Sequence, residues 1–222
     1  AGEHLLLLID DVLDLTAIES GNMQFSFSYV PIKNILEESV ELVTELVKGQ
    51  SITLTTQGFE ALEGLSIYID QRRFKQVMLN LLSNAIKYNK PNGSINVNCR
   101  VLSTKQCEID VIDTGCGFAP DDISRLFKPF DRLGAETSKV RGTGIGLVIT
   151  KELVERMQGS LSVHSKQEQG SCFTLTFNGF EQAHLPAQAQ MQEVTKQNVD
   201  AVMLPTLEVL VAEDQVTNQQ VL

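Results

Sequence analysis

Positive charge is scarce in this sequence. Eighteen Lys and Arg residues stand against 28 Asp and Glu, for a formal net charge of −10. A phosphate backbone needs a basic footprint, so general nucleic-acid binding is excluded. By the same logic an anionic ligand must be held by backbone N–H groups, a few placed cations or a metal. Cysteine is sparse too: Cys99, Cys107, Cys116 and Cys172 lack the paired spacing of a metal site, and reduced thiols are expected. The longest apolar run, Leu5–Ile9, is far too short to span a bilayer, and no signal peptide is visible. These absences point to the cytoplasm. Because the chain begins and ends inside helical patterns, it reads as a fragment, and its parent could carry a membrane anchor elsewhere.

What is present is enough apolar residue for one well-buried domain with appendages. His4–Glu19 has helical spacing, with Leu5, Leu8, Val12 and Leu15 on a stripe that Leu6, Ile9, Leu13 and Ile18 widen, and Gly21 is a C-terminal stop. A face this broad implies a partner helix. Met23–Val30 alternates like a strand, and Pro31 then opens a helix to about Val47. Ser51–Thr56 and Leu65–Ile69 read as strands, and Asp70 as the N-cap of a long helix ending near Lys90–Gly93. Ser94–Leu102 with Lys105–Asp113, and Ser160–Ser165 with Ser171–Phe177, read as hairpins around a helix over Gly144–Gln158. The expected fold is α+β: a two-layer α/β sandwich whose mixed sheet is covered by helices on one face, preceded by the apolar-faced helix. Glu181–Pro205 reads as a linker and Leu207–Val211 as a short buried strand.

Three motifs carry chemistry. On the helix around Gln76–Tyr88, Arg73, Gln76, Asn80, Asn84 and Lys87 share one stripe, opposite Val77, Met78, Leu81, Leu82, Ala85 and Ile86. Such a stripe ordinarily faces water. This one carries two Asn amides and a Lys, with few of the Glu/Lys pairs of a solvated face. Amide oxygens are hard, neutral ligands suited to Mg²⁺, and Lys87 supplies a point charge for a phosphate. Asp113 ends an apolar strand before Gly115 and Gly117. It makes either an ordinary Asx turn or an acceptor for an exocyclic amino group such as that of adenine, with the glycines opening the backbone to a ring. Gly142, Gly144 and Gly146 precede an apolar-periodic helix, whose unpaired N–H groups would suit phosphate. Neither the dinucleotide fingerprint nor the Walker pattern fits these glycines. Between the last two motifs lies a long loop, Phe118–Arg141, of lid-like length and with a helical turn expected at Ile123–Phe127. Phe127 and Phe130 in it form either a docking surface or a local mini-core. Arg132 and Arg141 are candidates for a terminal phosphate.

In this order the segments resemble the Asn box, first glycine box, Phe box (Phe127–Phe130) and second glycine box of the catalytic ATP-binding domain of sensor histidine kinases, a superfamily shared with gyrase-type and chaperone ATPases. The resemblance spans about Met23 to Phe180. It implies Asn84 as Mg²⁺ ligand and Asn80 as a second metal or phosphate contact. It further implies Lys87 and Tyr88 on the phosphate side, Asp113 as adenine reader, Arg132 at the γ-phosphate and Thr174 assisting at the base. Thr143, Ile145 and Leu147 join Gly142, Gly144 and Gly146 in the nucleotide-binding segment. Residues 1–21 are similar to the second helix of the family's dimerisation and phosphoacceptor hairpin, residues 22–180 to the catalytic domain, 181–206 to a linker and 207–222 to the start of a receiver domain, with Glu213 and Asp214 matching its acidic pair. A hybrid kinase with a homodimeric parent is implied. Its partners would be the phosphoacceptor hairpin and a receiver. None of His4, His164 and His184 stands in a phosphoacceptor context, so ATP binding without autophosphorylation is expected. Two alternatives stay open: an ATP-hydrolysing clamp, disfavoured because such enzymes place a Glu where Asn80 stands, and a non-catalytic scaffold.

Overall fold

The computed structural model describes residues 2–103, 106–132 and 143–182. Helix α1 (Gly2–Glu19) ends where Gly21 takes a left-handed φ of 71°, the stop that its position predicts. Strand β1 (Ser28–Pro31) leads into α2 (Ile32–Gly49), followed by β2 (Thr53–Gln57), a 3₁₀ turn (Phe59–Leu62) and β3 (Leu65–Ile69). Helix α3 (Gln71–Lys87) carries the Asn motif. Its N-cap is Asp70, whose carboxylate accepts from the Arg73 backbone N–H at 3.0 Å. The hairpin β4 (Ser94–Ser103) and β5 (Gln106–Asp113) precedes a short α4 (Pro120–Ile123). Helix α5 (Gly146–Arg156), the hairpin β6 (Ser160–Lys166) and β7 (Gly170–Asn178), and a short β8 (Phe180–Gln182) complete the described elements.

The principal sheet has five strands in the order β2-β4-β5-β7-β6, with β2 parallel to β4 and every other pair antiparallel. Alternation along its strands sorts the two faces. Ile95, Val97, Ile109, Val111, Phe173, Leu175 and Phe177 turn inward against α3 and α5, where Phe74, Val77, Met78, Leu81, Ile149 and Leu153 are buried. Phe74 meets Phe177 edge to face at 5.5 Å. The other face is polar. On it Asp110 is only 3% exposed and is satisfied by Thr174 Oγ1 at 2.7 Å and Arg100 Nη2 at 2.9 Å.

Several expected boundaries move, each for a local reason. Pairing in the Met23–Val30 segment begins only at Ser28, because the Ser26 N–H is taken by Asp70 Oδ2 at 2.7 Å rather than by a strand. The helix expected from Gly144 starts at Gly146, since Gly144 has φ 74°, outside helical space. The turn expected over Ile123–Phe127 is helical over Pro120–Ile123 instead. Glu181 and Gln182, expected in the linker, pair as β8 with β3, which also pairs with β1 to make a second, three-stranded sheet. The rest of that linker, the Leu207–Val211 strand, Glu213 and Asp214, His184 and Arg141 lie outside the described residues. No described helix is long and apolar enough to cross a membrane.

The broad apolar face of α1 is divided. Leu15 and Ile18 are buried, and Arg156 Nη2 on α5 donates to the Ile18 carbonyl at 2.9 Å, while Ile9, Val12 and Leu13 remain exposed. Asp14 fastens α1 to the start of α3, accepting from Arg73 Nη1 at 3.0 Å and Gln76 Nε2 at 2.7 Å. Arg73 and Gln76 therefore belong to helix docking and not to the chemical stripe.

Candidate functional site

Between α3, the turn after β5 and the start of α5 lies a cavity of about 700 Å³. Helix α3 forms one wall with Asn80, Asn84, Lys87 and Tyr88. At 1.5 Å per residue, Asn80 and Tyr88 stand about 12 Å apart along that wall, so the two ends of the cavity meet different groups.

At the Tyr88 end is Asp113, so Tyr88, expected on the phosphate side, stands beside the carboxylate instead. Its Oδ1 accepts from the Gly115 N–H at 2.7 Å, and the carboxylate also accepts from the Ser171 N–H. The Asx turn and the cavity-facing carboxylate are thus the same residue in both roles. Asp113 is 8% exposed, and burial raises its pKa above the ordinary 3.8, with the two backbone bonds pulling the other way.

The glycines serve a purpose beyond ligand access. A Cβ on Gly115 would lie 2.3 Å from the Tyr88 carbonyl oxygen, and one on Gly117, where φ is 60°, 2.1 Å from that of Lys166. They let the turn close against α3 and the β6–β7 hairpin. Gly117 lines the cavity; Gly115 is buried behind it.

At the Asn80 end, α5 begins without a side-chain cap, and Gly144, Gly146 and Leu147 face the cavity. A Cβ on Gly146 would be 2.6 Å from Asn80 Oδ1, so this glycine sets how closely the two helices approach. Asn80 Nδ2 donates to Thr150 Oγ1 at 2.6 Å. Thr143 accepts from the Ile145 N–H at 3.2 Å and donates to Asp11 Oδ2 on α1 at 2.9 Å. Arg132 lines the cavity, and its Cγ lies 3.1 Å from where a Gly144 Cβ would be.

Of the expected residues, Asn80, Asn84, Lys87, Tyr88, Asp113, Gly117, Arg132, Thr143, Gly144, Gly146 and Leu147 come together around this cavity. Gly142 lies outside the described residues. Ile145 is fully buried in the core and acts through packing. Thr174 is a correction: it sits on the polar outer face with Asp110 and is absent from the lining. Ser171, paired directly with Asp113 across β5 and β7, occupies the cavity face in its place, beside Phe173. The parity of β7 could have identified it, since Ser171 shares a face with Phe173, Leu175 and Phe177. Asp11 and Cys116 also line the cavity without having been expected. In the loop, Leu126 is buried, Phe127 lies 5.1 Å beneath Lys151 Nζ and Phe130 is 60% exposed. The two aromatics therefore divide between a half-buried ring beneath Lys151 and an open surface.

Comparison with known proteins agrees with this geometry. Residues 69–179 match the family model for histidine kinase-, DNA gyrase B- and HSP90-like ATPases. The chain is 36% identical over 90% of its length to the non-motile and phage-resistance protein of Caulobacter vibrioides, and 35% identical over its full length to the sensor protein TorS of Escherichia coli. It spans 23% of the length of each. The signal transduction histidine-protein kinase BarA of Escherichia coli is 37% identical over 80% of the chain, which spans 20% of that protein. Among solved structures, full-length ShkA in complex with AMPPNP superposes with a TM-score of 0.69 at 26% identity, covering 82% of this chain and 37% of that one. The histidine kinase ThkA in complex with the response regulator TrrA, at 20% identity, shares the fold with a TM-score of 0.62 over 80% of this chain and 48% of that one.

Proposed function

The chain belongs to the histidine kinase-, DNA gyrase B- and HSP90-like ATPase family, and we propose that it is the ATP-binding catalytic domain of a sensor histidine kinase, passing the γ-phosphate of ATP to a His on a helical hairpin. The observation that carries this is the polarity of the cavity along α3: a buried carboxylate at one end, two amides and an uncapped helix start at the other. Asp113 accepts from the adenine amino group, with Ser171 beside it and Phe173 supplying apolar surface. Lys87, Arg132 and the first N–H groups of α5 meet the phosphates. Protein groups in such a transfer position the reactants and offset charge, so no covalent chemistry from this chain is required.

Asn84 and Asn80 would hold Mg²⁺ through their amide oxygens. The donor set suits that ion. The oxygens are hard and neutral, and the Asn80 nitrogen is already committed to Thr150. No cluster of three His, Cys, Asp or Glu side chains among the described residues offers a competing cage. Bound there, the ion would neutralise charge on the phosphates. We assign residues 1–21 to a dimerisation helix, whose exposed Ile9, Val12 and Leu13 suit a second copy in the parent protein. With β8 counted in, residues 22–182 form the catalytic domain, 183–206 a linker and 207–222 the start of a receiver. A receiver is the phosphate's onward partner, in keeping with the sensor and signal-transduction kinases that the chain resembles.

Incubation with labelled ATP and a separate hairpin carrying a phosphoacceptor His tests this. Acid-labile phosphate is expected on the hairpin and none on this chain. Stoichiometric label on the chain alone, or rapid steady-state ATP hydrolysis, would contradict the assignment. Asn80, an amide, cannot act as the base that hydrolysis needs.

A further inference from the structure

We infer that Thr150 is a positioning residue for the metal-bearing end of the cavity, fixing the Asn80 amide with its oxygen toward the ligand. This rests on the Mg-nucleotide reading of the site. A side-chain amide has two ends of opposite character, a donor NH₂ and an acceptor oxygen, and only the oxygen can meet a cation. On an open helix face the amide would rotate freely between the two. Here Thr150, 1% exposed, presents Oγ1 at 2.6 Å from Asn80 Nδ2. A helical Thr has two χ1 rotamers open to it, and burial together with the bond to Asn80 selects the one that presents this oxygen. A buried hydroxyl without a partner is costly, which holds the contact closed from the other side as well.

The opposite end of the amide is selected independently. Asn80 Oδ1 lies against Gly146, the first residue of α5, at the uncapped and partly positive start of that helix. An oxygen is favoured there and an NH₂ group is not. The acceptor at Thr150 and the helix start at Gly146 therefore enforce one orientation, with the oxygen beside Gly146, which lines the cavity together with Asn80. Thr150 itself does not line the cavity, so it touches neither nucleotide nor metal and acts through Asn80 alone.

The test compares the wild-type chain with Thr150→Val, which keeps shape and burial but removes the acceptor, and Thr150→Ser, which retains it. The readout is the ratio of AMPPNP dissociation constants in EDTA and in Mg²⁺, with adenosine binding as a control for the base end and for folding. Removing a partner that orients a metal ligand costs about 10- to 100-fold in metal affinity. The Val variant should lower the metal-dependence ratio by about tenfold with adenosine affinity unchanged, and the Ser variant should restore most of it. An unchanged ratio in the Val variant, or equal weakening of adenosine and Mg-AMPPNP, would reduce Thr150 to an interhelical tie and overturn the inference. If the wild-type chain itself shows no metal-dependent AMPPNP binding, the functional assignment fails first and takes this inference with it.

Discussion

Replacing Asp113 by Asn should separate function from stability in opposite directions. Asp113 is desolvated, and its raised pKa means that the ionised form is disfavoured in the folded, ligand-free chain relative to the unfolded one. An Asn can still accept the 2.7 Å bond from the Gly115 N–H without burying a charge. The ligand-free variant should therefore melt no lower than wild type, and preferably higher. Nucleotide binding should move the other way. A hydrogen bond to a charged acceptor contributes about 1.5–3 kcal/mol, so ADP affinity should fall about 10- to 150-fold at 1.4 kcal/mol per decade. An Asn NH₂ turned toward the adenine amino group would widen the gap. Calorimetric titration with ADP and thermal melts of both proteins without ligand supply the two numbers. Binding within about threefold of wild type would remove Asp113 from the base site. A ligand-free variant melting well below wild type would show that the carboxylate is chiefly a structural turn.

The remaining expectations concern the same framework. Because base recognition needs ionised Asp113, wild-type ADP affinity should be highest above the raised pKa and fall as pH drops through it, whereas Asp113→Asn should lack that limb in an affinity–pH profile. Asn84→Ala should abolish most of the Mg²⁺-dependent gain in AMPPNP affinity, a loss of about tenfold or more, while leaving adenosine binding intact. Gly146→Ala puts a Cβ 2.6 Å from Asn80 Oδ1, so it should cost about 1–3 kcal/mol in urea unfolding and weaken Mg-nucleotide binding. Asp14→Ala removes the acceptor of both Arg73 and Gln76, and should speed hydrogen exchange across α1 while changing ADP affinity at the base end little.

Those residues also show what could be read from the sequence. The helical and strand periods located α3, β3 and both hairpins because apolar residues recur along each and turn residues bound them, and Asp70 announced its own cap. The Asn and glycine motifs gave the cavity walls because their residue types are unusual for a solvated face. The errors arose where a distant partner decides the outcome. The stripe on α3 included Arg73 and Gln76 because spacing alone cannot reveal that Asp14, some sixty positions earlier, claims them. Ser26 leaves the strand pattern for the same kind of reason, its N–H being drawn to Asp70. Thr174 was placed at the base by the family resemblance, when strand parity already put it on the outer face with Asp110. Gly115 and Gly117 were singled out for ring access, but the atoms that demand a glycine there are the chain's own carbonyls at Tyr88 and Lys166, which no local pattern discloses.

The most direct test of the central claim is an amide ¹H–¹⁵N spectrum recorded with and without Mg-AMPPNP. The shifts should concentrate in the Asn80–Tyr88 wall, the Asp113–Phe118 turn and the Thr143–Leu147 start of α5, leaving Asn98, Asp110 and Thr174 on the outer sheet face unmoved. An unaltered spectrum, or changes centred on that outer face, would contradict it.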